Sequence, residues 1–158
     1  MTTATNGQIC FGIRTDEDYE FPWDAEKWDG DIEEWWRVEV HGYKPPFELF
    51  DEEGMWINGV EQPDGVVREY FKHRRIFDEE HPAIPVELVN DCSNEYHEYI
   101  VAVPSTFMVA RRGYPKEFNP SDLVVDERQF AAFTEFCVTH LPDLAISEAR
   151  WYLSSYWG

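Results

Sequence analysis

At 158 residues the chain has the length of one domain whose core can close without a disulfide or a structural metal. Its 43% hydrophobic and 16% aromatic content excludes wholesale disorder. A formal net charge of −19, from 32 acidic and 13 basic residues, repels nucleic acid and anionic membrane and favours basic partners.

The three cysteines, Cys10, Cys92 and Cys137, are scattered and form no C-x-x-C pair, which fits free thiols in a reducing compartment. The polar start Met1 to Gly7 lacks the charged and apolar regions of a signal peptide, and no apolar run approaches 18 residues. The expected location is therefore the cytoplasm, and the expected organisation is a single domain over residues 1–158.

In chain order, Gln8 to Thr15 alternates Ile9, Phe11 and Ile13 with smaller or polar residues and predicts a strand. From Asp16 to Glu39 the chain carries 11 acidic residues against Lys27 and Arg37. Pro22 breaks this stretch, and an irregular loop is expected before a short helix from about Asp31 to Val40. Trp35 and Trp36 are adjacent, so on that helix only one of them can face inward. Gly42 and Pro45-Pro46 end it.

Residues 47–50 and 55–57 flank a hairpin turn at 51–54, and Asn58-Gly59 is a second turn signal. Asp64 is positioned to cap a helix running to about Glu79, with Val67, Tyr70, Arg74 and Phe77 on one stripe. Pro85 to Asn90 and Tyr99 to Val103 read as paired strands, and Thr106 to Arg111 as a third. Being the most β-branched part of the chain, these three are expected at the centre of the sheet. Arg112 to Asp122, with Gly113, Pro115 and Pro120, reads as loop. Asp126 and Gln129 form a capping box for a helix with Phe130, Phe133 and Cys137 on one face. Ala149 to Trp157 alternates as a last strand with two aromatic faces. The fold class is α+β: an antiparallel sheet of five to six strands with about three helices packed on one side.

No catalytic residue set emerges. The five histidines make no H-E-x-x-H pair, and Cys92 with His97 falls short of a zinc site. Placing Asp24 first in a calcium loop puts Trp28 and Asp29 where an oxygen ligand and glycine belong. No phosphate loop, dinucleotide fingerprint or nucleophile elbow is present. No metal and no cofactor is expected. Two basic clusters, Arg68, Lys72, Arg74 and Arg75 on the second helix and Arg111-Arg112 at the end of a strand, are expected to pair with nearby acids such as Glu69, Asp78, Glu79 or Glu80.

What stands out is a stretch of carboxylates interleaved with aromatics: Asp16, Glu17, Asp18, Glu20, Asp24, Glu26, Asp29, Asp31, Glu33 and Glu34, with Trp23 and Trp28 as candidate anchors. Duplex DNA carries one negative charge per roughly 1.7 Å of axis, so a carboxylate-studded surface can imitate it and draw in a Lys/Arg groove. In size, acidity, free cysteines and lack of enzyme motifs the chain resembles the small anti-defence proteins of phages and prophages, the anti-CRISPR and anti-restriction inhibitors that mimic DNA. That resemblance implies a non-enzymatic inhibitor of a defence nuclease or CRISPR surveillance complex, and a basic DNA- or RNA-binding protein as partner. Two other readings stand beside it: an assembly module, with a homodimer among its forms, using the aromatic strand Trp151 to Trp157, and a carboxylate-based hydrolase.

Overall fold

The computed structural model describes residues 5–16, 18–49, 61–90 and 98–157. The hairpin expected over 47–57, the turn signal at 58–59 and the Cys92–His97 region fall largely or wholly outside them. The chain divides into two compact units, one built from residues 1–22 and 85–158 and the other from residues 23–84. The class is α+β, with an antiparallel sheet of five strands and three helices among the described residues.

The first unit holds the sheet: β1 (Thr5–Arg14), β2 (Glu87–Asn90), β3 (Tyr99–Ala102), β4 (Met108–Ala110) and β5 (Arg150–Trp157). β2 and β3 pair antiparallel, as read from the sequence. The expectation that β2, β3 and β4 form the centre is corrected. The organising strand is β1, which pairs with β5 over Thr5–Gly12, with β4 over Gly7–Ile9 and with β3 over Gly12–Arg14. β2 pairs only with β3 among the described strands.

β1 can hold three partners because β4 and β3 take successive stretches of it. The short 3-10 turn Pro104–Thr106 fills the gap between them. There the Thr106 hydroxyl accepts from Phe11 N–H at 2.9 Å, and Val103 N–H donates to Phe11 C=O at 2.9 Å. Every backbone group of β1 opposite the break thus keeps a partner, as a buried backbone requires. Gly12 permits the approach of β3: a Cβ at this position would stand 2.2 Å from Val101 O and 2.7 Å from Ala102 Cα. Strand propensity favours β-branched residues, but backbone proximity outranks it here.

One face of the sheet carries Phe11 and Trp151, which meet edge to face at 5.6 Å, and α3 (Glu127–His140) packs there through Phe130, 5.9 Å from Phe11. Phe133, Phe136 and Cys137 of α3 are buried. Asp126 Oδ1 accepts from the N–H groups of Arg128 and Gln129, so the Asp126 half of the expected capping box is in place. The other face buries Cys10, Val89, Ile100 and Ala102 with Phe107 and Tyr152 against them. Gln8 lies on that face and donates to Asn90 O at 2.6 Å and Ser154 Oγ at 3.0 Å, which satisfies its buried amide.

The second unit holds α1 (Ile32–Trp35), continued by a π-helical turn Trp36–Val40, and α2 (Asp64–Glu80). Asp31 caps α1 by accepting from Glu34 N–H at 2.8 Å. Trp35 is buried while Trp36 stays half-buried and donates through Nε1 to Pro82 O at 3.1 Å, the division expected of adjacent tryptophans. On α2 the stripe Val67, Tyr70, Arg74 and Phe77 is half-buried as expected, with Phe77 4.8 Å from Tyr43 and Tyr70 5.9 Å from Phe47. The helix starts one residue earlier than expected. Pro63 is its N-cap residue, accepting from Val66 and Val67 N–H, and Asp64 lies inside the first turn, where its charge complements the dipole.

Replacing Gly12 by Ala pushes a methyl group into the β3 backbone. We expect a loss of about 1–3 kcal/mol of stability, of the order seen for overpacked cores, read from the midpoint of urea unfolding. A G12A protein of unchanged midpoint would contradict the close approach.

Candidate functional site

The acidic stretch is wound more tightly than the irregular loop its composition suggested. After the 3-10 turn Pro22–Asp24, Trp28 N–H bonds Ala25 O at 2.8 Å and Asp31 N–H bonds Trp28 O at 2.8 Å. Gly30 N–H returns to Trp23 O at 3.0 Å and closes the turn. The reversal needs two successive left-handed residues, Asp29 at φ 47° and Gly30 at φ 77°. Glycine takes that conformation freely, and aspartate is among the few other residues that tolerate it. With its backbone bonds turned inward, the loop leaves its carboxylates outside. Asp24, Glu26, Asp29, Asp31 and Glu33 are all exposed.

The predicted residues divide between the units. Asp16, Asp18 and Glu20 are exposed in the first unit, and Glu17 lies outside the described residues. Glu34 stands apart from the exposed acids. It is half-buried and ion-paired to Arg37 and, at 3.3 Å, to Arg74 of α2. Trp23 as a partner anchor is corrected: it is 1% exposed, packs 5.2 Å from Trp35 and belongs to the interior of its unit. Trp28 is half-buried, and Lys27 Nζ sits 4.5 Å from its ring centroid, a cation–π contact that occupies one ring face. The tryptophans among the acids therefore serve mainly to hold the loop, and the carboxylates form what the loop presents.

Composition could not reveal Arg37. It is only 5% exposed, and Nε donates to Asp78 Oδ1 at 2.8 Å while the guanidinium also pairs with Glu34 and, at 3.8 Å, with Glu33. Burial alone would lower its pKa. The hydrogen bonds and charges of Asp78 and Glu34 outweigh that and raise it, so the cation is permanent. The only signal in the sequence is a lone arginine inside an acidic run three residues after Glu34. The cations of α2 pair as expected in part, Lys72 with Glu69 at 3.6 Å and Arg75 with Glu79 at 3.6 Å. Arg74 instead reaches Glu34.

Beside this network His41 meets Trp36 edge-on at 4.7 Å and lies 5.2 Å from His81, which stacks on Phe77 at 3.8 Å. His41 Nε2 is buried without a hydrogen-bond partner among the described residues. Burial first, and then the charge of His81, lowers the His41 pKa. The aromatics of the last strand are also used internally, Trp151 against Phe11 and Tyr152 against the core of the opposite face, while Leu153 is exposed. No helix among the described residues is long and apolar enough to cross a membrane, and none of their His, Cys, Asp and Glu side chains form a group of three or more able to hold a metal ion. No known protein family, curated protein or solved structure matches the chain.

Two outcomes follow for the second unit. Arg37→Met leaves Glu34 and Asp78 without their shared cation. Because both acids keep contact with solvent, we expect a loss of about 1–3 kcal/mol, less than for a fully buried pair, measured by urea unfolding. The neutral His41 ring is favoured by folding. Its contribution is complete above the ordinary value of 6.5 and is lost as pH falls through the lowered value. Stability measured across pH 4–8, a range of about four units around the histidine pKa, should therefore decline on the acid side more steeply in the native protein than in His41→Phe. Equal slopes would remove His41 from the account.

Proposed function

We propose that the chain is a non-enzymatic acidic binding protein that occupies the basic, nucleic-acid-binding surface of another protein. The reading rests on one observation: a hydrogen-bonded turn holds Asp24, Glu26, Asp29, Asp31 and Glu33 at the surface. Fixing the carboxylates before contact reduces the ordering cost of binding and lets their field steer a basic partner into place. The second unit carries 17 acidic and 7 basic residues, so its own cations leave a large negative excess. A defence nuclease or CRISPR surveillance complex is the partner class implied by the resemblance to DNA-mimicking inhibitors.

The variant that tests this must spare the structural acids. Asp31 caps α1 and Glu34 pairs with Arg37 and Arg74, so both are kept. Glu26→Lys reverses an exposed charge, Asp29→Asn removes one while suiting the left-handed backbone, and Glu33→Gln removes another without setting a second cation beside Arg37, 3.8 Å away. Immobilised native protein is expected to retain nucleic-acid-binding proteins from bacterial lysate at low salt and release them to duplex DNA. Affinity should drop by about tenfold or more between 50 and 200 mM salt, as for contacts to several phosphates. E26K/D29N/E33Q should lose this retention while unfolding close to the native urea midpoint, since an exposed ion pair such as Glu33–Arg37 contributes little. Retention unchanged by the triple substitution, or of proteins that bind no nucleic acid, would remove the basis of the proposal.

A further inference from the structure

In a chain of net charge −19 most cations should find a carboxylate, and Arg14, Lys27, Arg37, Lys72, Arg74 and Arg75 each do. Among the described residues Lys44, Arg68, Arg128 and Arg150 have no ion pair but stand singly, whereas Arg111, Arg112 and Lys116 are unpaired and clustered. They fall within six residues on the loop after β4, all three exposed and none ion-paired among the described residues. Two aromatics share the loop, Tyr114 at 77% and Phe118 at 51% exposure, and Glu117 is the single acid between Arg111 and Phe118. Arginine with tyrosine is the side-chain pairing that dominates binding hot spots.

The backbone of this loop is held in place. Arg112 N–H donates to Asn6 Oδ1 of β1 at 2.9 Å, and Tyr114 N–H bonds Arg111 O at 2.9 Å around Gly113, whose φ of 78° favours glycine. Further on, the 3-10 turn Pro120–Asp122 is closed by a reciprocal capping box between Asn119 and Asp122. A cationic, aromatic surface ordered in this way, on a protein otherwise rich in carboxylates, calls for an acidic counterpart. The acidic counterpart described in this protein is its own wound turn, with Glu26, Asp29 and Glu33 exposed.

We infer that two copies of this chain associate by docking the Arg111–Phe118 loop of one onto the exposed carboxylates of the Asp24–Glu33 segment of the other. The contact pairs Arg111, Arg112 and Lys116 with those acids and places Tyr114 and Phe118 at the interface. A contact led by exposed charges is screened by salt and individually weak, so the association depends on concentration and salt. It uses the same carboxylates as the proposed foreign partner, and self-association therefore competes with that binding.

Sedimentation of the full chain at about 0.01 M and about 1 M salt, where the screening length falls from about 30 Å to about 3 Å, reads the prediction directly. The mass should rise above 18.7 kDa with concentration at low salt and return to it at high salt. R111E/R112E/K116E should remain at the monomer mass, as should E26K/D29N/E33Q. An equimolar mixture of these two variants restores complementary charge and should associate at least about tenfold more strongly than either alone, the change that corresponds to about 1.4 kcal/mol. A native protein monomeric at low salt, a loop variant that still associates, or a mixture that does not would each overturn the inference. So would a monomeric native protein whose loop retains a single-stranded oligonucleotide. R111E/R112E/K116E leaves the acidic turn intact and should still retain basic proteins from lysate, so this inference and the proposed function fail separately.

Discussion

A single guanidinium orders the second unit. Arg37 lies almost wholly out of water and engages Glu33, Glu34 and Asp78, which belong to two helices about forty residues apart in sequence. An acidic chain of this density resists compaction because its carboxylates repel one another. Placing one permanent cation among them converts part of that repulsion into attraction and fixes how the acidic helix lies along α2. Arg74 reinforces the arrangement by reaching Glu34 from α2.

The same arrangement separates two kinds of acid that look identical in the sequence. Glu34 is a structural ligand of Arg37 and Arg74, and Asp31 is a helix cap. Glu26 and Asp29 face solvent along a turn whose backbone bonds are satisfied internally, and Glu33 of α1 is exposed with only a long contact to Arg37. Only the second kind can meet a partner without dismantling the helix beneath it. The tryptophans follow the opposite logic: Trp23 and Trp35 pack against each other inside, where their area contributes more to folding than it could to recognition.

Local patterns were legible in the sequence, and long-range closures were not. The alternation of Ile9, Phe11 and Ile13, the cap at Asp126 and the division of labour between Trp35 and Trp36 follow from periodicity and capping chemistry within a few residues. The rank of β1 as the shared strand rests on Gly12, whose missing side chain matters only once β3 arrives from some ninety residues away. Likewise, the burial of Trp23 rests on a carbonyl bonded to Gly30 and a ring packed at a tilt against Trp35, neither of which a count of neighbouring acids can reveal. For the site, the exposed carboxylates were visible as composition, and the arginine that sorts them was not.

The placement of the second unit within the chain has a consequence for how the molecule assembles. Residues 23–84 are continuous, whereas the sheet draws β1 from before them and its other four strands from after them. As the polypeptide emerges during synthesis, the continuous unit can settle first. β1 must wait for partners more than eighty residues downstream, and its longest partner is the last strand made. Such distant pairings close slowly, which leaves β1 an unzipped edge for much of translation. A young chain is thus open to misassociation along β1 until β5 has been made.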